Sequence, residues 1–325
     1  MKKRISMIPA AFAALLLAAG CEHKDVLYDV DFNVVLDQAN TFSVGEPVKF
    51  NFDGQVDNIL FYSGEPGAKY EFRDRYEVDK ESMESASMEL QIQAQYGRAG
   101  ALEVYVTNKF DGLAGNDGNA DRAMMKSLFD GQMSGWERID YKDGPSGKWI
   151  SLQIPDLKEY MDNFCIAFHW NQPALDGKNA QRTYRVNGEL KTETKDGIKS
   201  SISLGELNLK TVSMNEQHDP YRVNAGNGSI ILNDSFDIFF KGVAKTELDF
   251  PLNAWCISTP QALNKVPNDK GQVIKDLQNY MGGYEYTYSA PGTYMATFVV
   301  INSNYVGSDR KVIEIPVTIV DKPLK

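Results

Sequence analysis

Three histidines and three cysteines among 325 residues leave little material for nucleophilic or metal chemistry. His23 lies close to the N-terminus, so His169 and His218 are the histidines available to a folded site. Ser63, in Phe61-Tyr-Ser-Gly-Glu-Pro-Gly67, has a glycine-rich setting that invites a nucleophile. It lacks the preceding Gly-x that a strand-to-helix nucleophile elbow requires. No two His or Cys residues stand at zinc-ligand spacing. The 44 acidic residues offer many carboxylate pairs for glycosidase chemistry, yet such a pair is defined by its separation in space and no spacing singles one out. Asp117-Gly-Asn119-Ala-Asp121 supplies oxygens at the first, third and fifth places of a calcium loop, with Asp111 nearby. Arg122 at the sixth place and Leu128 at the twelfth exclude an EF-hand. Two expectations stand here: a structural calcium held by Asp111, Asp117, Asn119 and Asp121, or a solvated loop whose Asp121 caps the following helix.

Carbohydrate binding needs aromatic rings to stack on sugar faces and amide, carboxylate or guanidinium groups to meet hydroxyls. The run from His169 to Arg185 concentrates such groups. A strand ends in His169 and Trp170, enters a polar loop from Asn171 to Gln181, and returns as Arg182-Thr-Tyr184-Arg185. The expected ligand site is therefore His169, Trp170, Asn171, Arg182, Tyr184 and Arg185, with Trp149. Strand alternation places Ile166, Phe168 and Trp170 on one face and Cys165, Ala167 and His169 on the other, so a core role for Trp170 competes with a ligand role. Trp136 and Trp255 fall within strand motifs and are expected to be structural. Tyr284, Tyr286 and Tyr288 share one strand face, which a packed sandwich face explains.

The elements that must position these groups are overwhelmingly strands. Apolar and polar residues alternate in Val48–Phe52, Met88–Ile92, Leu102–Val106 and Trp149–Ile154, with Gly, Asn and Asp clusters between them. Such spacing predicts an all-β fold of sandwiches or barrels. Helical periodicity is confined to two pieces. One follows Asp121 through Phe129, and the other runs from Val273 through Met281 to Gly282-Gly283. Cys165 and Cys256 lie in apolar stretches and read as buried free thiols, although export would permit a disulfide.

The N-terminus reads as a leader. Lys2, Lys3 and Arg4 precede an apolar run from Ile8 to Ala19, too short to span a bilayer comfortably. Removing residues 1–20, with three basic groups and no acid, takes the formal charge from −10 to −13. An acidic chain with so few basic clusters argues against nucleic acid or another polyanion as partner.

Ala18-Ala19-Gly20-Cys21 resembles the lipobox of bacterial lipoproteins, with Ala18 where leucine is preferred. The resemblance implies lipidation of Cys21 and anchoring without a membrane span. The acidic residues that follow resemble a surface-export signal of Bacteroidetes lipoproteins. Tyr284-Glu-Tyr-Thr-Tyr288-Ser-Ala-Pro-Gly-Thr-Tyr294 resembles the closing half of a PKD-type immunoglobulin-like domain. Its earlier strands would be supplied by Asp31–Val35, Phe42–Phe52 and Asn58–Tyr62. Leu102–Gly112, Gly135–Ile139, Trp149–Ile154 and Asn163–Trp170 together resemble the jelly-roll domains of exported adhesin-like and carbohydrate-binding proteins.

The whole looks like an uncharacterised family of Bacteroidetes surface lipoproteins that accompany glycan-uptake systems. The resemblance implies a split PKD-like sandwich with an inserted jelly roll. Residues 1–20 would be the signal peptide and 21–27 a tether. Residues 28–80 and 251–321 would be the two halves of the PKD-like sandwich, and 81–250 the insert. The implied function is that of a non-catalytic, outer-membrane, surface-exposed accessory protein. It would hold poly- or oligosaccharide near outer-membrane uptake proteins, without a cofactor beyond the calcium considered above. A hydrolase on the jelly roll and a structural or protein-binding adhesin are the alternatives.

Overall fold

The computed structural model describes residues 26–37, 40–97, 99–172, 181–215, 228–243 and 252–321. The leader, Cys21 and His218 lie outside the described residues. The fold is all-β, with its strands in several sheets, none closed into a barrel. The chain divides into two compact units, one comprising residues up to Arg73 and from Asp269 onward, the other Asp74–Asn268.

The first unit has two sheets. One is three-stranded, built from β1 (Phe32–Leu36), β3 (Pro47–Gly54) and β17 (Gly283–Thr287) in the order β1-β3-β17. The other is five-stranded, in the order β16-β4-β18-β19-β2. Its members are β2 (Thr41–Ser43), β4 (Asn58–Tyr62), β16 (Gln272–Lys275), β18 (Gly292–Ser303) and β19 (Ser308–Val320). Alternation in β3 buries Val48 and Phe50 and exposes Lys49 and Asn51. The core they enter is aromatic: Phe298 lies 5.0 Å from both Phe50 and Phe61, centroid to centroid, in an edge-on and a tilted contact. Tyr284 and Tyr286 pack against Phe61, and the buried Tyr288 donates its hydroxyl to the Ser63 carbonyl. The tyrosine row is thus a packed face.

Ser63 closes β4. It is buried, and its hydroxyl donates to Glu65 in the turn that follows. Gly64 in that turn has φ +83°, and a Cβ there would meet the Met295 backbone at 2.7–2.8 Å, so only glycine fits.

Two expectations fail in this unit. The segment expected to be helical from Val273 forms β16, whose backbone pairs with β4 at the edge of the five-stranded sheet. Val273 and Leu277 are exposed and Ile274 packs on the core, so the 3.6-residue pattern supports no buried face. An open sheet edge outweighs a weak helical period over so few residues. The expected return to this unit at residue 251 is also displaced. Leu252–Ile257 pairs with Cys165–Gln172 in the second unit, and the chain crosses back only at Asp269.

The second unit is a sandwich of two sheets. Its six-stranded sheet follows the path β13-β14-β10-β5-β8, with β11 paired to β10. These are β5 (Met83–Gln95), β8 (Trp149–Ile154), β10 (Thr183–Thr194), β11 (Lys199–Ser203), β13 (Ser229–Leu232) and β14 (Ile238–Lys241). The five-stranded sheet runs β12-β15-β9-β6-β7. It contains β6 (Leu102–Thr107), β7 (Glu137–Ile139), β9 (Cys165–Gln172), β12 (Lys210–Ser213) and β15 (Leu252–Ile257).

The inner faces interleave in one core. Met88, Leu90, Ile92, Val186 and Phe240 from the first sheet meet Val104, Ile166, Phe168, Trp170 and Ala254 from the second. The outer face of the five-stranded sheet has its own core, where Met125 of helix α1 (Gly118–Asp130) packs with Tyr105, Ala167 and Trp255. Cys165 belongs to this outer core and Cys256 to the inner one. Both are buried free thiols on opposite faces of adjacent strands.

Candidate functional site

Period-two alternation leaves every second residue of the six-stranded sheet facing away from the sandwich core, and pairing register aligns these residues into rows. In one row Trp149 stands opposite Gln93, Gln93 opposite Arg185, and Arg185 opposite Phe239. The next row is Ser151, Gln91 and Asn187, and the third is Gln153, Glu89 and Glu189.

Arg185 is the fixed point of the first row. Its Nη1 donates to the side-chain carbonyls of Gln93 and Gln95, each at 2.7 Å. Its guanidinium carbon lies 5.5 Å from the ring centre of Phe236 and 5.2 Å from that of Phe239. Such cation–π contacts hold a planar cation against the rings. Phe236 reaches across the face to Trp149, with ring centres 5.9 Å apart, and Trp149 keeps 41% of its surface exposed. Gln93 is oriented from its other end, where Nε2 donates to the Gly147 carbonyl at 2.9 Å.

The third row carries charge. Glu89 accepts hydrogen bonds from Ser151 at 3.1 Å and Gln91 at 2.8 Å. These donors, Ser151 first, hold its carboxyl below the usual range. Glu189 is likewise lowered, chiefly by the Lys191 ammonium 2.8 Å away. Lys191 also stands 3.6 Å from Glu89, so one ammonium bridges two ionised carboxylates. The face therefore joins an aromatic patch to rows of amides, hydroxyls and ionised groups. It is suited to stacking on a flat apolar face and hydrogen-bonding a ring of hydroxyls.

The other expected ligands lie elsewhere. Trp170 and Tyr184 are fully buried in the sandwich core. Arg182 is buried too, with Nη2 2.7 Å from Asp143 Oδ2 and side chains 5% and 2% exposed. The same oxygen accepts from the Tyr184 hydroxyl at 3.0 Å and from the Gly100 amide at 2.9 Å, and Tyr184 accepts from the Ala101 amide. Burial raises the Tyr184 pKa, which keeps this hydroxyl protonated as a donor. These groups fasten the Gly100–Ala101 and Asp143 segments to β10.

His169 is buried on the outer face of the five-stranded sheet, stacked on Trp255 with ring centres 4.2 Å apart and planes 9° from parallel. Its Nδ1 lies 3.0 Å from Glu103 Oε2, and its Nε2 stands 2.9 Å from the side-chain amide of Asn253. Glu103 also accepts from the Tyr105 hydroxyl at 3.0 Å and pairs with Arg138 at 2.8 Å. The bond from His169, followed by those from Tyr105 and Arg138, holds the Glu103 carboxyl below its usual range. Of the expected set, Asn171 is exposed on β9, while Trp149 and Arg185 alone share the six-stranded face. Trp136 and Trp255 are structural: the first packs on Phe110 and the second is fully buried.

The Asp117–Asp121 segment is the start of helix α1. Its N-cap is Asp117 rather than Asp121, with Oδ1 accepting from the amides of Asn119 at 3.0 Å and Ala120 at 3.1 Å. Asp121 is buried in the first turn, and its two oxygens accept from the Ala114 and Gly115 amides. Backbone donors thus occupy both Asp121 oxygens and Asp117 Oδ1, and the Asn119 side-chain oxygen accepts from Arg122 Nη1 at 2.9 Å. Among the described residues no group of three or more His, Cys, Asp or Glu side chains is placed to hold a metal.

Sequence reasoning missed Gln93, Gln95, Phe236 and Phe239. The glutamines were legible as the polar half of an alternating strand. Phe239 follows from the register of β14 against β10, and Phe236 has no signal, because only folding brings the segment before β14 across to Trp149.

Fold and site together define an all-β protein whose second unit offers a polar, aromatic-edged sheet face. A family model described as a domain of unknown function, DUF5017, matches residues 20–207, and the chain belongs to that family. The match ends before β12, within the second unit. No curated protein and no solved structure matches the chain.

Proposed function

We propose that this protein is a non-catalytic glycan-binding accessory protein, anchored to the outer membrane through a lipid on Cys21 and displayed at the cell surface. It holds poly- or oligosaccharide on the outer face of the six-stranded sheet, for delivery to neighbouring uptake proteins. The reading rests above all on the row Trp149–Gln93–Arg185–Phe239. An exposed indole there shares a flat face with amides and a guanidinium held at fixed orientation by two glutamines and two phenylalanines. A pre-oriented polar row loses little side-chain entropy on binding, which favours a shallow site. Copies anchored side by side would add avidity to a weak individual contact.

The carboxylates on this face, Glu89 and Glu189, are held ionised by donors and by Lys191. A glycosidase acid needs the opposite, a carboxyl kept protonated by a raised pKa. Neither of these two carboxylates therefore has the environment of such an acid.

Affinity electrophoresis of the protein through gels containing plant, host and microbial polysaccharides tests the reading. Retardation by at least one glycan is expected. Trp149→Ala should weaken it about tenfold, equivalent to about 1.4 kcal/mol, while leaving the fold intact. No retardation by any glycan, or retardation unchanged in Trp149→Ala, would refute the site.

A further inference from the structure

Six large apolar or tyrosine side chains stand exposed at one end of the first unit: Val26 at 54%, Tyr28 at 74%, Leu277 at 69%, Tyr280 at 81%, Tyr305 at 80% and Val306 at 62%. Val26, Tyr28, Leu277 and Tyr280 line a groove of about 600 Å³ there. The turn Asn304–Gly307, closed by the Asn304 amide donating to the Gly307 carbonyl, adds Tyr305 and Val306 beside it. A Cβ at Gly307 would lie 3.8 Å from Leu27 Cδ2, so this turn abuts the 26–28 segment.

Several polar groups of these loops bond one another. Asn302 Nδ2 donates to the Tyr28 carbonyl at 3.1 Å, and its Oδ1 accepts from the Asp57 amide at 3.2 Å. Asp57 Oδ2 accepts from the Ser303 amide at 2.7 Å, and Lys275 donates to the Asp57 and Asp276 carbonyls. The loops are tied together from within, and the aliphatic and phenolic side chains they turn outward stand beside the exposed amides of Gln55, Gln278 and Asn279. A water-facing surface has no use for such a concentration, which elsewhere marks an interaction surface.

Covalent geometry says which partner is near. Val26 is five residues beyond Cys21, and five residues span at most about 18 Å even when fully extended. With Cys21 acylated, this end of the unit stands within that distance of the lipid whatever the path of the connecting residues.

We infer that the end bearing Tyr28, Leu277, Tyr280 and Tyr305 is an interfacial membrane contact that seats the first unit on the lipid surface. The tyrosines sit at headgroup depth, where an apolar ring with a polar tip is favoured, and Leu277, Val26 and Val306 face the acyl boundary. Acylation then supplies one anchoring signal and this patch a second. The inference rests on lipidation of Cys21.

The test uses the full-length lipidated protein in vesicles of phosphatidylethanolamine and phosphatidylglycerol, with and without brominated acyl chains. Tyr280→Trp is the probe and Met295→Trp the control. Met295 lies eight residues before Ser303 on β18, about 27 Å from this end. The four native tryptophans all lie in the second unit, and their emission in the unsubstituted protein is the baseline. Brominated lipid should abolish the added emission of Tyr280→Trp and leave that of Met295→Trp unchanged. Quenching of neither, or of both equally, in protein that carries the acyl chains overturns the inference. Acylation is read separately by incorporation of labelled palmitate, against Cys21→Ser as blank. Absence of label refutes the anchor, and with it this contact, independently of any glycan result.

Discussion

Replacing Asp143 with alanine should be among the most damaging single changes in the second unit, although Asp143 takes no part in the proposed ligand face. Its Oδ2 takes two guanidinium bonds from Arg182, at 2.7 Å and 3.2 Å, besides the bonds from Tyr184 and Gly100. Removing the carboxylate leaves a guanidinium 5% exposed without its counter-charge, and a buried tyrosine hydroxyl without its acceptor. Breaking a buried pair from one side costs about 3–5 kcal/mol, because the surviving charge stays desolvated. With a urea dependence of about 2 kcal/mol per molar, a loss of about 4 kcal/mol moves the unfolding midpoint down by about 2 M.

Intrinsic fluorescence reads this unit selectively, because Trp136, Trp149, Trp170 and Trp255 all lie within residues 74–268. The control is the double variant Asp143→Leu with Arg182→Met, which removes both charges and fills the space with apolar groups. It should be more stable than Asp143→Ala by about 1–2 kcal/mol, because no stranded charge remains, and it stays below the parent because the Tyr184 hydroxyl and the Gly100 amide still lack their acceptor. The reasoning fails if Asp143→Ala costs under about 1 kcal/mol. It fails equally if the double variant is as unstable as the single one, for then lost shape rather than stranded charge is responsible.

Three further outcomes are expected. The Glu103 carboxyl is lower in the folded protein than its ordinary 4.5, so its contribution to stability is present above about pH 4.5 and is lost as pH falls through the folded value. Glu103→Gln should therefore flatten the acid limb of the second unit's stability profile below that pH, and an unchanged limb would contradict the assignment. Burial pushes the Cys165 thiol up to about 12 and raises Cys256 as well. In a Cys21→Ser background an aromatic disulfide reagent should find no reactive thiol until urea unfolds the protein, when it should find two. Trp170→Ala should destabilise the second unit by about 3–5 kcal/mol, whereas Trp149→Ala should leave its urea midpoint nearly unchanged, which separates the core indole from the exposed one.

Strands were the most legible layer of this sequence. The alternations at Val48–Phe52, Met88–Ile92, Leu102–Val106 and Trp149–Ile154 all lie in observed strands, because a two-residue period leaves a mark in composition wherever one face is buried. The helix expected from Val273 failed because a few apolar residues at helical spacing cannot report a neighbouring sheet edge, and pairing with β4 decided the segment. The return to the first unit was misplaced for a similar reason. Nothing within Leu252–Ile257 reveals that its partner is β9, more than eighty residues earlier, rather than a strand of the first unit.

The misplaced ligand residues have a common physical cause. Large rings and charged groups near a loop draw attention, yet in a two-sheet sandwich the largest rings are what the core most needs, and Trp170 and Tyr184 went there. Arg182 followed because Asp143, distant in sequence, neutralises it in place. His169 points the other way on β9, where Trp255 and Glu103 enclose it. Trp149 and Arg185 remain on the outer face of the six-stranded sheet because their places in the alternation oppose those of Ile92 and Val186, which fill the core. The better guide to a sheet-borne site is therefore the polar half of each alternating strand. Gln91 and Gln93 of β5, read in register with Asn187 and Arg185 of β10, already describe a wall of oriented donors and acceptors. The aromatic edge matters only where it joins that wall.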